Sequence, residues 1–309
     1  MIGRNLKERI ESFFKTGLME VTSDSIVQDC AYLLRDLYQA GMQLNLLPKT
    51  QEGLAILDIS SELIKNQETA RQGLLAISDF IAMEFYRVAK ISRSNLSDLY
   101  DLAKHLQSFH SLLANSEIQD FIRKALKSNL LMMHKESIGI RFDFPGEDRQ
   151  LTTLHQEFHS FPFGVNAVVL WVPLTRISRL HGTLAYYPRP HLSNPIPFYA
   201  DSYEQDRLLS EGRLQEAQKC GGLQIDSIDL GAPHFLDVEP GSCFIFSAVL
   251  PHSSSPAMPD SLLARLTCQA RFFDLEDSFL AWKHSQGRLW DGLKRPSEGW
   301  QLWEEFMND

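Results

Sequence analysis

The sequence predicts an α+β fold in which a helical first part packs against an antiparallel β-barrel or sandwich. Three observations predict it. Apolar residues recur at helical spacing through residues 74–88. Four short apolar or alternating runs, separated by turn residues, fill much of residues 166–272. Between these parts lies a His-x-Glu pair whose spacing suits one face of a strand.

The first 135 or so residues read as helical. Ser23-Asp24-Ser25 offers side-chain oxygens that can cap a helix running through Leu33, Leu34 and Leu37. Leu74, Ile77, Ile81, Phe85 and Val88 fall at three- and four-residue intervals and form one apolar stripe. Ser94-Asn95-Leu96-Ser97-Asp98 reads as a further cap or break, and residues 117–131 as another amphipathic helix. Such stripes are expected to buttress the outside of the barrel, with partner binding as the other use of an apolar helix face.

The strands follow in order. Residues 166–174 (Asn-Ala-Val-Val-Leu-Trp-Val-Pro-Leu) form a continuous apolar run of strand length. His181-Gly182-Thr183-Leu184-Ala185-Tyr186-Tyr187-Pro188 opens on a turn glycine. Gly241-Ser242-Cys243-Phe244-Ile245-Phe246 does the same, and residues 264–272 alternate strictly. Short strands with turn signals between them suggest a barrel or sandwich. Residues 188–220 interrupt the series as an insertion. Pro188, Pro190, Pro195 and Pro197 forbid a regular start, and residues 203–219 then read as a short polar helix. Insertions of this length are often lids, and Phe198, Tyr199 and Tyr203 are candidates to wall a pocket or to pack the lid down.

His155 and Glu157 lie in Leu151-Thr152-Thr153-Leu154-His155-Gln156-Glu157-Phe158-His159. In a strand, residues two apart share a face, so both would point one way. In a helix they would diverge by about 200° and could not share an ion. His252 follows in Leu-Pro-His-Ser-Ser-Ser-Pro. Two histidines and one carboxylate fill one side of an octahedral ferrous ion and leave the remaining positions open for oxygen and a co-substrate. The pair alone is uninformative, since a chain with ten histidines is expected to contain about one His-x-Asp/Glu by chance. Its weight comes from the ordered context.

That context is similar to the phytanoyl-CoA dioxygenase family. The resemblance rests on His155-Gln156-Glu157, Trp171-x-Pro173-Leu174, Gly182-Thr183-Leu184 followed by Pro188, Gly241 with Phe246, His252-x-Ser254 and Arg265-x-Thr267-x-Gln269-x-Arg271-Phe272, in this order, over residues 137–273. It implies a double-stranded β-helix (jelly-roll, cupin-like barrel) buttressed by helices. The chain is expected to divide into a helical region of residues 1–100, which has no counterpart in the resemblance and packs on the barrel, and an oxygenase domain of residues 101–309 with a lid insertion at 188–220. The resemblance implies Fe(II) held by His155, Glu157 and His252, with 2-oxoglutarate as co-substrate. Arg265, thirteen residues after His252, matches the arginine that grips the distal carboxylate. A guanidinium suits that task because its planar fork meets a carboxylate with two parallel bonds. Ser254 matches a hydroxyl donor to the same carboxylate, and Gln156 and Trp171 match positions near the co-substrate. Arg271 stays a rival to Arg265, because both lie on one strand face. The other reading of Arg271 is a salt bridge at the barrel rim.

The implied reaction is hydroxylation of a small molecule by O2, with succinate and CO2 as co-products. Desaturation, cyclisation or epimerisation at the same iron, and a jelly roll that binds without turnover, are the alternatives. The carboxylate ligand argues against halogenation. Glu157 stands where the family more often has aspartate. Pro188-Arg189-Pro190-His191 and His181-Gly182 also depart from the family pattern, and both lie around the pocket mouth. His181 and His191 are therefore candidates to touch substrate, ahead of His159 and His234. His105, His110 and His134 read as surface or capping residues, and His284 lies in the C-terminal tail.

Composition narrows the rest. Thirty basic against 39 acidic residues give a net charge of −9, which argues against nucleic acid as principal ligand. No apolar run is long enough to span a bilayer, and the N-terminus lacks the apolar core of a signal peptide. Cys30, Cys220, Cys243 and Cys268 are scattered without a zinc spacing, as suits reduced thiols in the cytoplasm, where ferrous iron also persists.

Overall fold

Ser23 accepts a hydrogen bond from the backbone N–H of Ile26 and so opens helix α2 (Asp24–Gln43). The computed structural model describes residues 6–134, 138–147, 151–159, 165–196 and 229–276, and parts of 197–228. Helix α1 (Leu6–Thr16) comes first, then strand β1 (Leu18–Thr22) and α2. Helices α3 (Gln51–Ile64) and α4 (Gln67–Ile91) begin as α2 does, with Thr50 and Asn66 as caps. Helix α5 (Arg93–Ala103) starts directly after Ser92, so the break lies just before residues 94–98, which were expected to hold it and are helical. Helices α6 (Gln107–Leu113) and α7 (Ser116–Leu126) complete the layer.

The strands are β2 (Leu131–Met133), β3 (Gly139–Asp143), β4 (Ala167–Pro173), β5 (Thr183–Tyr186), β6 (Phe198–Tyr199), β7 (Gly222–Leu223), β8 (His234–Phe235), β9 (Ser242–Ser247), β10 (His252–Ser255) and β11 (Arg265–Asp274). They form two main antiparallel sheets. The major sheet runs β1-β9-β4-β11-β2, with β3 also paired to β11, and the minor sheet runs β10-β5-β8. Strands β6 and β7 pair separately. This mixed helix and antiparallel-sheet architecture is that of a double-stranded β-helix.

Alternation divides the major sheet. One face presents Val168, Leu170, Val172, Cys243, Ile245, Leu266, Cys268, Ala270 and Phe272 to the helices. They pack into one core with Cys30 and Leu34 of α2 and with Leu74, Ile77, Ile81, Phe85 and Val88 of α4. The stripe expected from the sequence is thus the contact face, and each fully buried aliphatic or aromatic side chain contributes about 1.5–3 kcal/mol. The other face carries Val169, Trp171, Phe244 and Phe246, which meet Leu184 and Leu236 from the minor-sheet side. Strand β4 is buried throughout because it has a packed neighbour on both faces, which is why it reads as a continuous apolar run.

The helical part differs from the sequence expectation in three places. Strand β1 lies within it and covers the edge of β9 with a register of Leu18 opposite Phe246. Helix α7 stops at Leu126, where Lys127 takes a left-handed backbone (φ 51°), and β2 follows where the helix was expected to continue. His134 is buried rather than at the surface, whereas His105 and His110 are exposed. The expected helix at 203–219, the side chains of Phe198, Tyr199 and Tyr203, and Cys220 and His284 lie largely or wholly outside the described residues.

Candidate metal centre

His155 and His252 are brought together by backbone pairing. The His155 N–H donates to the His252 carbonyl at 3.0 Å, and the His252 N–H returns the bond to His155 at 3.0 Å. Directly opposed residues of an antiparallel pair put their side chains on one face. The two imidazole centroids are accordingly 4.3 Å apart. Ser254 N–H bonds the Thr152 carbonyl at 3.0 Å, one residue out of that register, and ties the two segments together a second time.

The expected strand over residues 151–159 does not form. His155 makes a single bridge, and Glu157 already lies in a short 3-10 turn, Glu157–His159. The residue due next in the ladder, Leu250, turns its N–H back to the Ser247 carbonyl, while Pro251 faces the other neighbour, its carbonyl accepting from the Tyr187 N–H. Glu157 is placed instead by its neighbours. Gln156 is fully buried; its amide nitrogen donates to the Val249 carbonyl and its amide oxygen accepts from the Ile196 N–H. Phe158 packs with Ala167, Ala248, Val249 and Phe273. Two anchors flanking one residue fix its direction as a strand would.

Ligand atoms of His155, Glu157 and His252 lie within 4.8 Å of one another, so the three can hold one metal ion. The glutamate Oε1 is 3.9 Å from His155 Nε2 and 3.7 Å from His252 Nε2. Each Nδ1 meets a backbone carbonyl, His155 that of Thr153 at 2.8 Å and His252 that of Leu250 at 2.9 Å. A proton on Nδ1 satisfies each carbonyl and leaves each Nε2 lone pair facing the carboxylate, the state that metal ligation needs. Burial, then neighbouring His252, pushes the His155 pKa down to about 4, so its imidazole is neutral near pH 7. Burial alone would raise the carboxyl of Glu157, but Arg271, with His252 and His155, holds it well below the usual range. Two imidazoles with Nε2 turned to the site and an ionised carboxylate fit ferrous iron.

The two rival arginines occupy different places. Arg271 grips Glu157, with Nε to Oε2 at 3.2 Å and Nη2 to Oε1 at 2.7 Å. Arg265 is buried against Asp143 and donates from Nη1 to the Thr183 carbonyl at 3.2 Å. Ser254 Oγ lies 3.0 Å from Thr152 Oγ1 and accepts from Arg141 Nη2 at 3.2 Å. Trp171 lies edge-on to Phe244 at 5.9 Å on the inner face. Arg141, Asp143 and Thr152 were not singled out from the sequence. The signal of the two charged residues is the alternation Ile140-Arg141-Phe142-Asp143-Phe144, which puts them on one strand face and three apolar residues on the other.

The remaining histidines separate clearly. His191 is buried between Ser247 Oγ and Asn166 Oδ1, at 2.8 and 3.2 Å. His181 bonds Ser178 across a turn. His234 is exposed on the sheet edge against Tyr186, which stands opposite His252 in the next strand. The side chain of His159 lies outside the described residues.

A double-stranded β-helix with a largely buried two-histidine, one-carboxylate cluster defines a class, the iron- and 2-oxoglutarate-dependent oxygenases. The profile of the family Phytanoyl-CoA dioxygenase (PhyH) matches residues 65–261, well over half of the chain, and the chain belongs to that family. It is an oxygenase-type enzyme whose cofactors are iron and 2-oxoglutarate. No curated protein matches significantly by sequence. Similar solved structures include the non-heme α-ketoglutarate-dependent epimerase SnoN from nogalamycin biosynthesis, at 13% identity and TM-score 0.47 over 87% of this chain and 80% of that one. EctD from S. alaskensis with 2-oxoglutarate and 5-hydroxyectoine matches at 14% identity and TM-score 0.47 over 87% and 76%. AviO1 from Streptomyces viridochromogenes Tue57 matches at 12% identity and TM-score 0.46 over 89% and 97%. Overlaps this loose carry no argument about the present chain. Among the described residues no helix is long and apolar enough to cross a membrane.

Proposed function

We propose that this protein is an Fe(II)- and 2-oxoglutarate-dependent dioxygenase that hydroxylates a small molecule, with succinate and CO2 as co-products. His155, Glu157 and His252 hold the iron. The observation that carries the reading is that three donor side chains from separated segments converge within 4.8 Å, with both imidazole Nδ1 atoms already turned onto carbonyls. Bound iron supplies the activation of O2, coupled to oxidative decarboxylation of the co-substrate.

The chain's own residues do the rest. Arg271 keeps Glu157 ionised and oriented. Arg265 and Ser254 take the distal carboxylate of 2-oxoglutarate. Gln156 serves from behind by fixing the turn that aims Glu157. Trp171, with Val169, Phe244 and Phe246, lines an apolar interior that excludes water from the reaction. In the same reading the helices of residues 1–100 are a packing layer and residues 101–309 carry the oxygenase. Buried, free Cys30, Cys243 and Cys268 suit a reducing compartment, the cytoplasm.

The test is succinate release from 2-oxoglutarate by the full chain with Fe(II) under air, beside iron binding measured without oxygen. Wild type binds about one iron and forms succinate, whereas His155→Ala and His252→Ala do neither. Wild type without bound iron and without turnover overturns the proposal.

A further inference from the structure

In the ionic cluster around Arg265, two members, Asp143 and Arg141, have no part in the function so far. Asp143 stands directly opposite Arg265 in the sheet, and Arg141 stands opposite Thr267. All four side chains therefore project from the same face of the major sheet. Asp143 Oδ1 accepts from Arg141 Nε at 2.9 Å. Its Oδ2 accepts from Arg265 Nε at 3.0 Å and lies 2.9 Å from Arg265 Nη2. One carboxylate, 12% exposed, thus bridges two guanidiniums.

The bridge leaves particular donors available. A guanidinium has five N–H groups. In Arg265, Asp143 takes the Nε–Nη2 edge and the Thr183 carbonyl takes one N–H of Nη1. One N–H on each terminal nitrogen stays without a partner among the described residues. That pair suits the two oxygens of a carboxylate approaching end-on. Arg141 meanwhile reaches Ser254, two residues along the strand from His252. Without Asp143 the like charges of Arg141 and Arg265 would repel, and two long side chains would lose their fixed geometry.

We infer that Asp143 is a positioning residue for the co-substrate: by yoking Arg141 to Arg265 it presents the remaining Arg265 donors and the Ser254 hydroxyl to one carboxylate. This rests on the reading that Arg265 and Ser254 take that carboxylate. Asp143 does not compete with the co-substrate, because it occupies the side edge of the Arg265 guanidinium and not the terminal pair.

Calorimetric titration of 2-oxoglutarate into full-length protein loaded with Mn(II), a redox-silent stand-in, tests the inference. Asp143→Asn keeps the size and removes the charge. It is expected to raise the 2-oxoglutarate Kd about tenfold or more with the Mn(II) Kd unchanged, and Asp143→Glu to recover part of the loss. Arg265→Gln run in parallel separates the two levels of argument. If Arg265→Gln weakens 2-oxoglutarate binding while Asp143→Asn leaves it unchanged or tightens it, the positioning role is wrong and the site assignment stands. If Arg265→Gln itself changes nothing, the assignment falls and the inference with it. Should Asp143→Asn fail to fold, Arg141→Gln cuts the same yoke at its other end and is expected to weaken 2-oxoglutarate severalfold; unchanged affinity there also overturns the inference.

Discussion

At the scale of the residue, the site separates three arginines that share a strand face or its cross-strand neighbour. Arg271 meets both oxygens of Glu157, so its loss removes the charge that holds that carboxyl ionised in a buried site. Arg271→Gln is expected to weaken iron binding about 10- to 100-fold, as losses of a ligand's hydrogen-bond partner do, and to spare 2-oxoglutarate affinity once metal is bound. Arg265→Gln is expected to show the reverse split. Paired metal and 2-oxoglutarate titrations check both, and a loss confined to 2-oxoglutarate in Arg271→Gln would exchange the two roles. The candidate metal-holding set, whose ligand atoms converge within 4.8 Å, was legible in the sequence through the ordered motifs around it and not through the histidine–acid pair alone. The Asp143 bridge was not, because the alternation at 140–144 shows which residues share a face and not which strand lies opposite. Gln156 was legible as a site neighbour, but its purpose is visible only once Val249 and Ile196 are seen to hold it.

At the scale of the element, the long periodic segments were legible and the short paired ones were not. The α4 stripe, β4, β9 and the alternation of β11 fall where their patterns put them. Strand β1 was missed because its partner β9 is more than 200 residues away and five residues of mixed character carry no period of their own. The ladder expected at 151–159 stops where Leu250 turns back onto Ser247, a constraint on the partner strand and not on the segment itself. Gly182 is an element-scale feature that the sequence did mark. Its φ is +83°, and an added Cβ would lie 3.0 Å from the Ala257 nitrogen and 3.2 Å from the Ser255 carbonyl oxygen. The turn into β5 therefore needs glycine, both for backbone freedom and for the close passage of the chain after β10. Gly182→Ala is expected to lower unfolding free energy by about 1–3 kcal/mol. Urea denaturation measures it, and undiminished stability would show that the turn relaxes without strain.

At the scale of the whole molecule, His191 joins segments distant along the chain. Its backbone N–H bonds the Phe14 carbonyl of α1, its ring packs on Phe13 and Phe14, and its two nitrogens meet Ser247 at the end of β9 and Asn166 just before β4. Asn166 in turn bonds the Leu126 carbonyl that ends α7. The junction works with a neutral ring: Nε2–H donates to Asn166 Oδ1 and Nδ1 accepts from the Ser247 hydroxyl. Burial, and then Lys127, depress the His191 pKa to about 4 from an ordinary 6.5. The unfolded chain therefore binds a proton below pH 6.5 that the folded chain refuses until about pH 4. Stability is full above 6.5, falls as pH drops through that window, and is lost by about 3 kcal/mol at its foot on this account alone. In iron-free protein His155 acts in the same sense, because its pKa is also pushed down to about 4. The expected outcome is a melting temperature that declines from pH 7 to pH 5 in iron-free protein, with a shallower decline in His191→Asn, which keeps a polar group in the junction without a proton to gain. Equal slopes for the two proteins would mean that the junction opens to admit the proton and that acid sensitivity arises elsewhere.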